Sequence, residues 1–235
     1  MSLTASDGLV LRDLTPPLRL ADYRLVAFDM DSTLIDIECI DEIAAAAGLK
    51  PQVAAITEAT MRGEIADFKE SLRRRVALLR GIPESALGRI ATETMQLNPG
   101  VETFVQAARA AGLKTLLVSG GFTFFSDRVV TRLGLDYARA NVLEIIDGHL
   151  TGRLLDQAWG DICDGAEKRR TLLETAASLG IEPARTIAVG DGANDLPMME
   201  AAGLSVAYHA KPAVRARARI SIERGGMDRL LEVLR

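Results

Sequence analysis

Arg24-Leu25-Val26-Ala27-Phe28-Asp29-Met30-Asp31-Ser32-Thr33-Leu34 is an apolar run that ends abruptly at two carboxylates. Consecutive apolar residues without polar alternation predict a strand buried on both faces, as in a parallel sheet, opening into a polar loop at Asp29. The same transition recurs twice further on. Leu116-Leu117-Val118 runs into Ser119-Gly120-Gly121, and Ile187-Ala188-Val189 runs into Gly190-Asp191-Gly192-Ala193-Asn194-Asp195. Ligands of open α/β sheets bind outside the carboxyl ends of the strands, so the three loops are expected to share one crevice.

Outward from these strands, helical and strand patterns alternate. Asn98-Pro99-Gly100 is a strong break. After it the spacing predicts a helix over 101–111, a strand over 114–118, a helix near 126–133 and a hairpin over 142–154 about Asp147-Gly148. A helix over 167–179, a strand over 186–189, a helix over 195–202 and a strand over 204–207 follow. This alternation predicts an α/β fold with a parallel sheet and right-handed crossovers. Between the first strand and Asn98 there is no strand signal. Ile40, Ile43, Ala44 and Ala47 fall at helical spacing up to Gly48, and further helices start near Pro51, Asp67 and Pro83, with Gly63 and Gly81 between them. The expected organisation is an N-terminal extension over 1–22, a core over 23–37 and 99–235, and an inserted helical bundle over 38–98.

Composition narrows the function. The 235 residues are 48% hydrophobic and 26% charged, which excludes a disordered or fibrous chain. A net charge of -4 gives no overall basic field for nucleic acid or an anionic membrane; Arg73-Arg74-Arg75 is a local basic cluster. Cys39 and Cys163 are too few for a disulfide framework and are expected as free thiols in a reducing compartment. No basic leader and no run of about 18 apolar residues occurs, so neither a signal peptide nor a membrane span is expected, and the location expected is cytoplasmic.

The loops carry the chemistry. Strand alternation would point Asp29 and Asp31 the same way, and Asp191 and Asp195 add two more carboxylates. So many negative charges repel one another unless a cation is present, and hard oxygen ligands suit Mg²⁺. Ser119 with the amides of Gly120 and Gly121 offers donors to phosphate oxygens, and Lys168 offers a positive charge. These parts suit phosphoryl transfer, with Asp29 as nucleophile and Asp31 as general acid for a poor alkoxide leaving group. His149 and His209 have no second metal-type ligand at close spacing and read as structural or surface residues. Cys39 reads as a small buried hydrophobe and Trp159 as a loop anchor.

Phe28-Asp29-Met30-Asp31-Ser32-Thr33-Leu34, Ser119-Gly120-Gly121, Lys168 and Gly190-Asp191-Gly192-Ala193-Asn194-Asp195 resemble, in order, the four motifs of the haloacid dehalogenase-type phosphatases. Ile37-Glu38-Cys39-Ile40-Asp41-Glu42 and Ser71-Leu72-Arg73-Arg74-Arg75-Val76 are most similar to the inserted helices of the phosphoserine phosphatases. The resemblance implies a Rossmann-like parallel-sheet core with the helical bundle as a cap. It implies hydrolysis of O-phosphoserine to serine and phosphate, the last step of serine biosynthesis, through an aspartyl-phosphate on Asp29.

The resemblance also implies roles residue by residue. Asp29, Asp191 and the backbone carbonyl of Asp31 would hold Mg²⁺, with Asp195 supporting them. Ser119, Gly120 and Lys168 would hold the phosphoryl group, and Asn194 would contact phosphate or leaving group. Lys168 is favoured over its neighbour Arg169 by the spacing to Leu172. Glu38 would receive the substrate ammonium and Arg75 its carboxylate. The expected partner is the small-molecule substrate, with no nucleic acid and no membrane, in a monomer or homodimer. Two rivals remain: a phosphotransferase or a phosphatase of another small ester such as homoserine phosphate, and a non-catalytic binding module.

Overall fold

The computed structural model describes residues 2–14, 16, 18–62, 64–65 and 67–235. Met1, Thr15, Pro17, Gly63 and Ala66 lie outside them, and with them the expected break at Gly63. The strand opening the quoted stretch is β3 (Leu25–Phe28), after the short strands β1 (Ser2–Ser6) and β2 (Leu9–Arg12). Four helices come next: α1 (Cys39–Ala46), α2 (Lys50–Met61), α3 (Phe68–Leu78) and α4 (Glu84–Arg89). A π-helical turn over Ile90–Thr94 ends this insert.

The chain then alternates through α5 (Val101–Ala110), β4 (Lys114–Phe122), α6 (Thr123–Leu133), β5 (Tyr137–Ile146) and β6 (His149–Leu155). It continues through α7 (Gly165–Ser178), β7 (Thr186–Gly190), α8 (Leu196–Ala201), β8 (Leu204–Tyr208), α9 (Pro212–Arg215) and β9 (Ile220–Ile222). The described strands form one sheet in the order β1-β2-β9-β8-β7-β3-β4-β5-β6. Strands β9, β8, β7, β3, β4 and β5 run parallel, and antiparallel strands border them on both sides. The α/β architecture is thus the expected one.

Every residue of β3 is buried, as a strand covered on both faces requires. Val26 and Phe28 pack into the larger apolar cluster, with Phe104 of α5 edge-on to Phe28, while Leu25 and Ala27 face Leu172 and Ala176 of α7. Because the chain leaves β3 for β4 on one side and later returns to β7 on the other, β3 sits at a topological switch point. Phe28 is level with Leu117 of β4 and Val189 of β7, so the three loops open at one height.

Two features were not read from the sequence. Residues 2–12 add two strands to the sheet: β2 pairs antiparallel with β9, and β1 pairs with β2. β4 extends to Phe122, carrying Ser119, Gly120 and Gly121 within it, and its register against β5 shifts there. Among the described residues, no helix is long and apolar enough to cross a membrane.

The two connections of the helical insert are tied to each other. Ile35 and Leu97 form an antiparallel bridge, and Asp36 N–H donates to the Gln96 carbonyl at 3.0 Å. The Asn98 side chain donates to the carbonyls of Thr33 and Ile35 at 3.0 and 2.9 Å. The insert also docks on the β5–β6 hairpin, where Gly81 N–H donates to the Leu150 carbonyl at 2.7 Å, and on the segment after β6, where Lys69 and Arg73 reach Asp161 at 2.7 and 2.6 Å.

Candidate active site

Above β3, β4 and β7 lies a cavity of about 570 Å³ between the sheet edge and the helical insert. Asp29, Asp31, Ser119, Gly120, Gly121, Asp191 and Asn194 line it from the sheet, and Glu38 and Arg75 from the insert. The three strand-end loops therefore converge, and both insert residues singled out from sequence face them.

Asp29 and Asp31 reach the cavity by a different route from strand alternation. β3 stops at Phe28, and residues 31–34 form a turn in which Ser32 takes a left-handed φ of 56°. Such a conformation is strained for a non-glycine residue. Its hydroxyl donates to Glu38 Oε1 at 2.7 Å, which ties the turn to the first residue before α1.

Lys168 sits behind Asp29, fully buried, on the first turns of α7. Its ammonium donates to Asp29 Oδ1 at 2.6 Å and to Asp195 Oδ1 at 2.7 Å. Burial alone would push that ammonium toward neutrality, but Asp195 and Asp29 outweigh it and hold the proton firmly. Arg169 is exposed, so it cannot take this place. Glu167 pairs with Arg139 and Arg170 instead of competing for Lys168. The other oxygen of Asp195 accepts the N–H groups of Asp191 and Gly192 at 3.1 and 2.9 Å. Asp195 thereby holds the loop after β7 in shape. Gly190 must lack a side chain, because a Cβ there would lie 2.4 Å from the Asp195 carboxyl carbon.

The carboxylates are poised for a cation. Oxygens of Asp29, Asp191 and Asp195 lie within 4.8 Å of one another. Burial, then the Asp195 charge, pushes Asp29 well above the usual carboxylate range. The same two causes push Asp191 up to about 7. For Asp31 burial and the Glu38 charge do so, to about 7. One buried lysine against the Asp29, Asp191 and Asp195 trio leaves an excess of negative charge that a divalent ion relieves, and the donors are all hard oxygens. The side chain of Asp31 stands outside that trio, bonded to Cys39.

Ser119 is buried, and its Oγ accepts Gly121 N–H at 2.8 Å. α6 begins at Thr123, two residues after Gly121, so its positive end adds to the Gly120 amide, the Gly121 amide being engaged by Ser119. His149 and His209 are exposed and do not line the cavity. Trp159 packs on the smaller apolar cluster with Arg139 5.3 Å above its ring.

Sequence reasoning missed three features. Lys211 lines the cavity from the loop after β8, a fourth strand end to which the same rule applied. Phe68 and Leu72 of α3 form an apolar wall that periodicity alone marks only as core. Asn141, fully buried in β5, donates to the Gly120 carbonyl and accepts Cys163 N–H, both at 2.8 Å. It joins the glycine loop to the segment leading into α7. No pattern in the sequence marks it.

A family model of the haloacid dehalogenase-like hydrolases matches residues 23–203. A phosphoserine phosphatase of Albidiferax ferrireducens is 67% identical over 96% of this chain and 95% of its own length. One from Polaromonas sp. is 64% identical over 98% of each chain. Among solved structures, a phospho-aspartyl intermediate analogue of phosphoserine phosphatase superposes with a TM-score of 0.82 at 37% identity, covering 91% of this chain and 99% of that one.

Proposed function

We propose that this chain, which belongs to the haloacid dehalogenase-like hydrolases, hydrolyses O-phosphoserine to serine and phosphate by way of an aspartyl-phosphate on Asp29. The observation that carries this reading is the buried Asp29–Lys168–Asp195 cluster at the floor of a cavity whose opposite wall holds Glu38 and Arg75. A phosphate-directed nucleophile faces a carboxylate and a guanidinium, the complements of an ammonium and a carboxylate.

Asp29 attacks phosphorus, forming its bond to phosphorus as the bond from phosphorus to the seryl oxygen breaks. Asp31 gives its proton to the departing alkoxide. Water then attacks the aspartyl-phosphate, Asp31 takes the proton back, and phosphate leaves with Asp29 restored. Lys168, Ser119 and the Gly120 amide hold the phosphoryl oxygens, with Asn194 beside them. Glu38 receives the ammonium of the substrate and Arg75 its carboxylate. Asp29, Asp191 and the Asp31 carbonyl are the expected holders of Mg²⁺, with Asp195 fixing the Asp191 loop. When bound, that ion supplies neutralising charge to the phosphoryl oxygens. The helical insert over 38–98 acts as the cap that closes on substrate, a role supported by its paired connections and its ion pairs to the segment after β6. A cytoplasmic setting is supported by Cys39 and Cys163 being free, buried thiols.

Phosphate release from a panel of small phosphomonoesters, with and without Mg²⁺, tests the reading. Phosphoserine should lead the panel, turnover should need the metal, and acid quenching should trap phosphate on Asp29. Asp29→Asn should abolish both turnover and the trapped species. Equal rates across the panel would overturn the substrate, and a phosphoenzyme on another residue would overturn the mechanism.

A further inference from the structure

Asp31 is gripped from the insert side. Its Oδ1 accepts a hydrogen bond from the Cys39 thiol at 3.1 Å, and its Oδ2 accepts the Cys39 backbone N–H at 3.4 Å. Cys39 is the first residue of α1 and is fully buried. The first N–H groups of a helix have no partner within it. Glu38, in the capping position, makes no capping bond with its side chain, which is turned to Ser32 instead. Asp31 fills that vacancy in α1 from eight residues upstream. On its other side, a Cβ on Gly121 would lie 3.1 Å from Asp31 Oδ2. The carboxyl group is therefore clamped between the glycine loop of β4 and the first turn of α1.

We propose that Cys39 is a positioning residue for Asp31: its thiol and backbone N–H fix the carboxyl group in the orientation from which it protonates the leaving alkoxide. The inference rests on Asp31 being the general acid. A buried cysteine ordinarily packs as a small hydrophobe with a weak donor. Here the donor is spent on Asp31 Oδ1. The orientation of the acid thus depends on the position of α1.

A general acid matters for an alkoxide and hardly at all for a phenolate stabilised by a nitro group. The test is kcat/KM across ethyl, phenyl and p-nitrophenyl phosphate, esters without the ammonium and carboxylate that Glu38 and Arg75 read. Cys39→Ala and Cys39→Val remove the thiol donor; Ala underfills the buried site and Val overfills it, so a loss shared by both follows the donor rather than the packing. Each should lose about tenfold on ethyl phosphate, the orienting effect of one hydrogen bond. On p-nitrophenyl phosphate the change should stay within about twofold. Cys39→Ser, which keeps a donor, should restore the ethyl phosphate rate. Equal losses on all three esters, or a Ser variant no better than Ala, would overturn the proposal. Asp31→Asn, run in parallel, separates the two assignments: its rates should fall most steeply on ethyl phosphate, and a uniform loss there would overturn the acid assignment itself.

Discussion

At the residue scale, the environment of Arg75 supports its proposed role as the partner of the substrate carboxylate. It is half-buried in the cavity wall; burial lowers the proton affinity of its guanidinium, while Asp41, Glu38 and Asp31 counter this. Its Nε donates only a long 3.4 Å bond to the Ser71 carbonyl, which leaves most of its fork open for a carboxylate. Arg75→Ala should raise KM for phosphoserine by roughly 10–100-fold, the loss of a charge-assisted pair. Ethyl phosphate, which has no carboxylate, should be nearly indifferent. Arg75→Lys should rescue phosphoserine only in part, because an ammonium cannot form the bidentate pair. Steady-state kinetics on both esters check this, and equal losses on the two would make Arg75 a structural residue.

At the scale of elements, α3 delivers Phe68, Ser71, Leu72 and Arg75 to the cavity as one rigid unit. Its start is fixed by Asp67, whose carboxylate accepts Lys69 N–H at 3.0 Å. Asp67→Ala should cost about 1 kcal/mol of stability, and Asp67→Asn only a few tenths. Urea denaturation of the two variants measures the difference, and indistinguishable midpoints would show that the cap contributes nothing. Much of this arrangement was legible in the sequence. The short apolar run into Asp29 predicts β3 because a strand covered on both faces favours apolar residues at successive positions. The positions of Pro51, Asp67 and Pro83 place three helix starts within a residue or so. What stayed hidden were contacts between residues distant in sequence. Asn141 looks like an ordinary polar interruption of a strand until Gly120 and Cys163 are brought beside it. Cys39 looks like core until Asp31 meets its thiol. The strands β1 and β2 were hidden for another reason: β9, the strand that joins β2 to the rest of the sheet, is only Ile220–Ile222, too short to give a pattern of its own.

For the molecule as a whole, the charge gathered above β3 sets a conflict between function and stability. Burial, reinforced by Glu38 for Asp31 and by Asp195 for Asp191, pushes both carboxyls up to about 7, against roughly 4 in the unfolded chain. Between those values the folded state binds more protons than the unfolded one, so stability of the metal-free protein should fall as pH rises from about 4 to about 7. Asp191→Asn should flatten that decline while destroying activity. Mg²⁺ at a hundred times its dissociation constant should raise Tm by roughly 5–10 °C. Its effect should be larger at pH 8 than at pH 5, because protons compete for the same oxygens. Thermal melts with and without chelator at the two pH values decide the matter, and a metal-free Tm that did not change with pH would count against it. The pairing of β2 with β9 carries a consequence of another kind. Almost the whole described chain separates these two strands, so during synthesis the N-terminal hairpin emerges from the ribosome with no edge to join. Its place in the sheet opens only when Ile220–Ile222 has been made, so β2 must wait for nearly all of the described chain before it can dock.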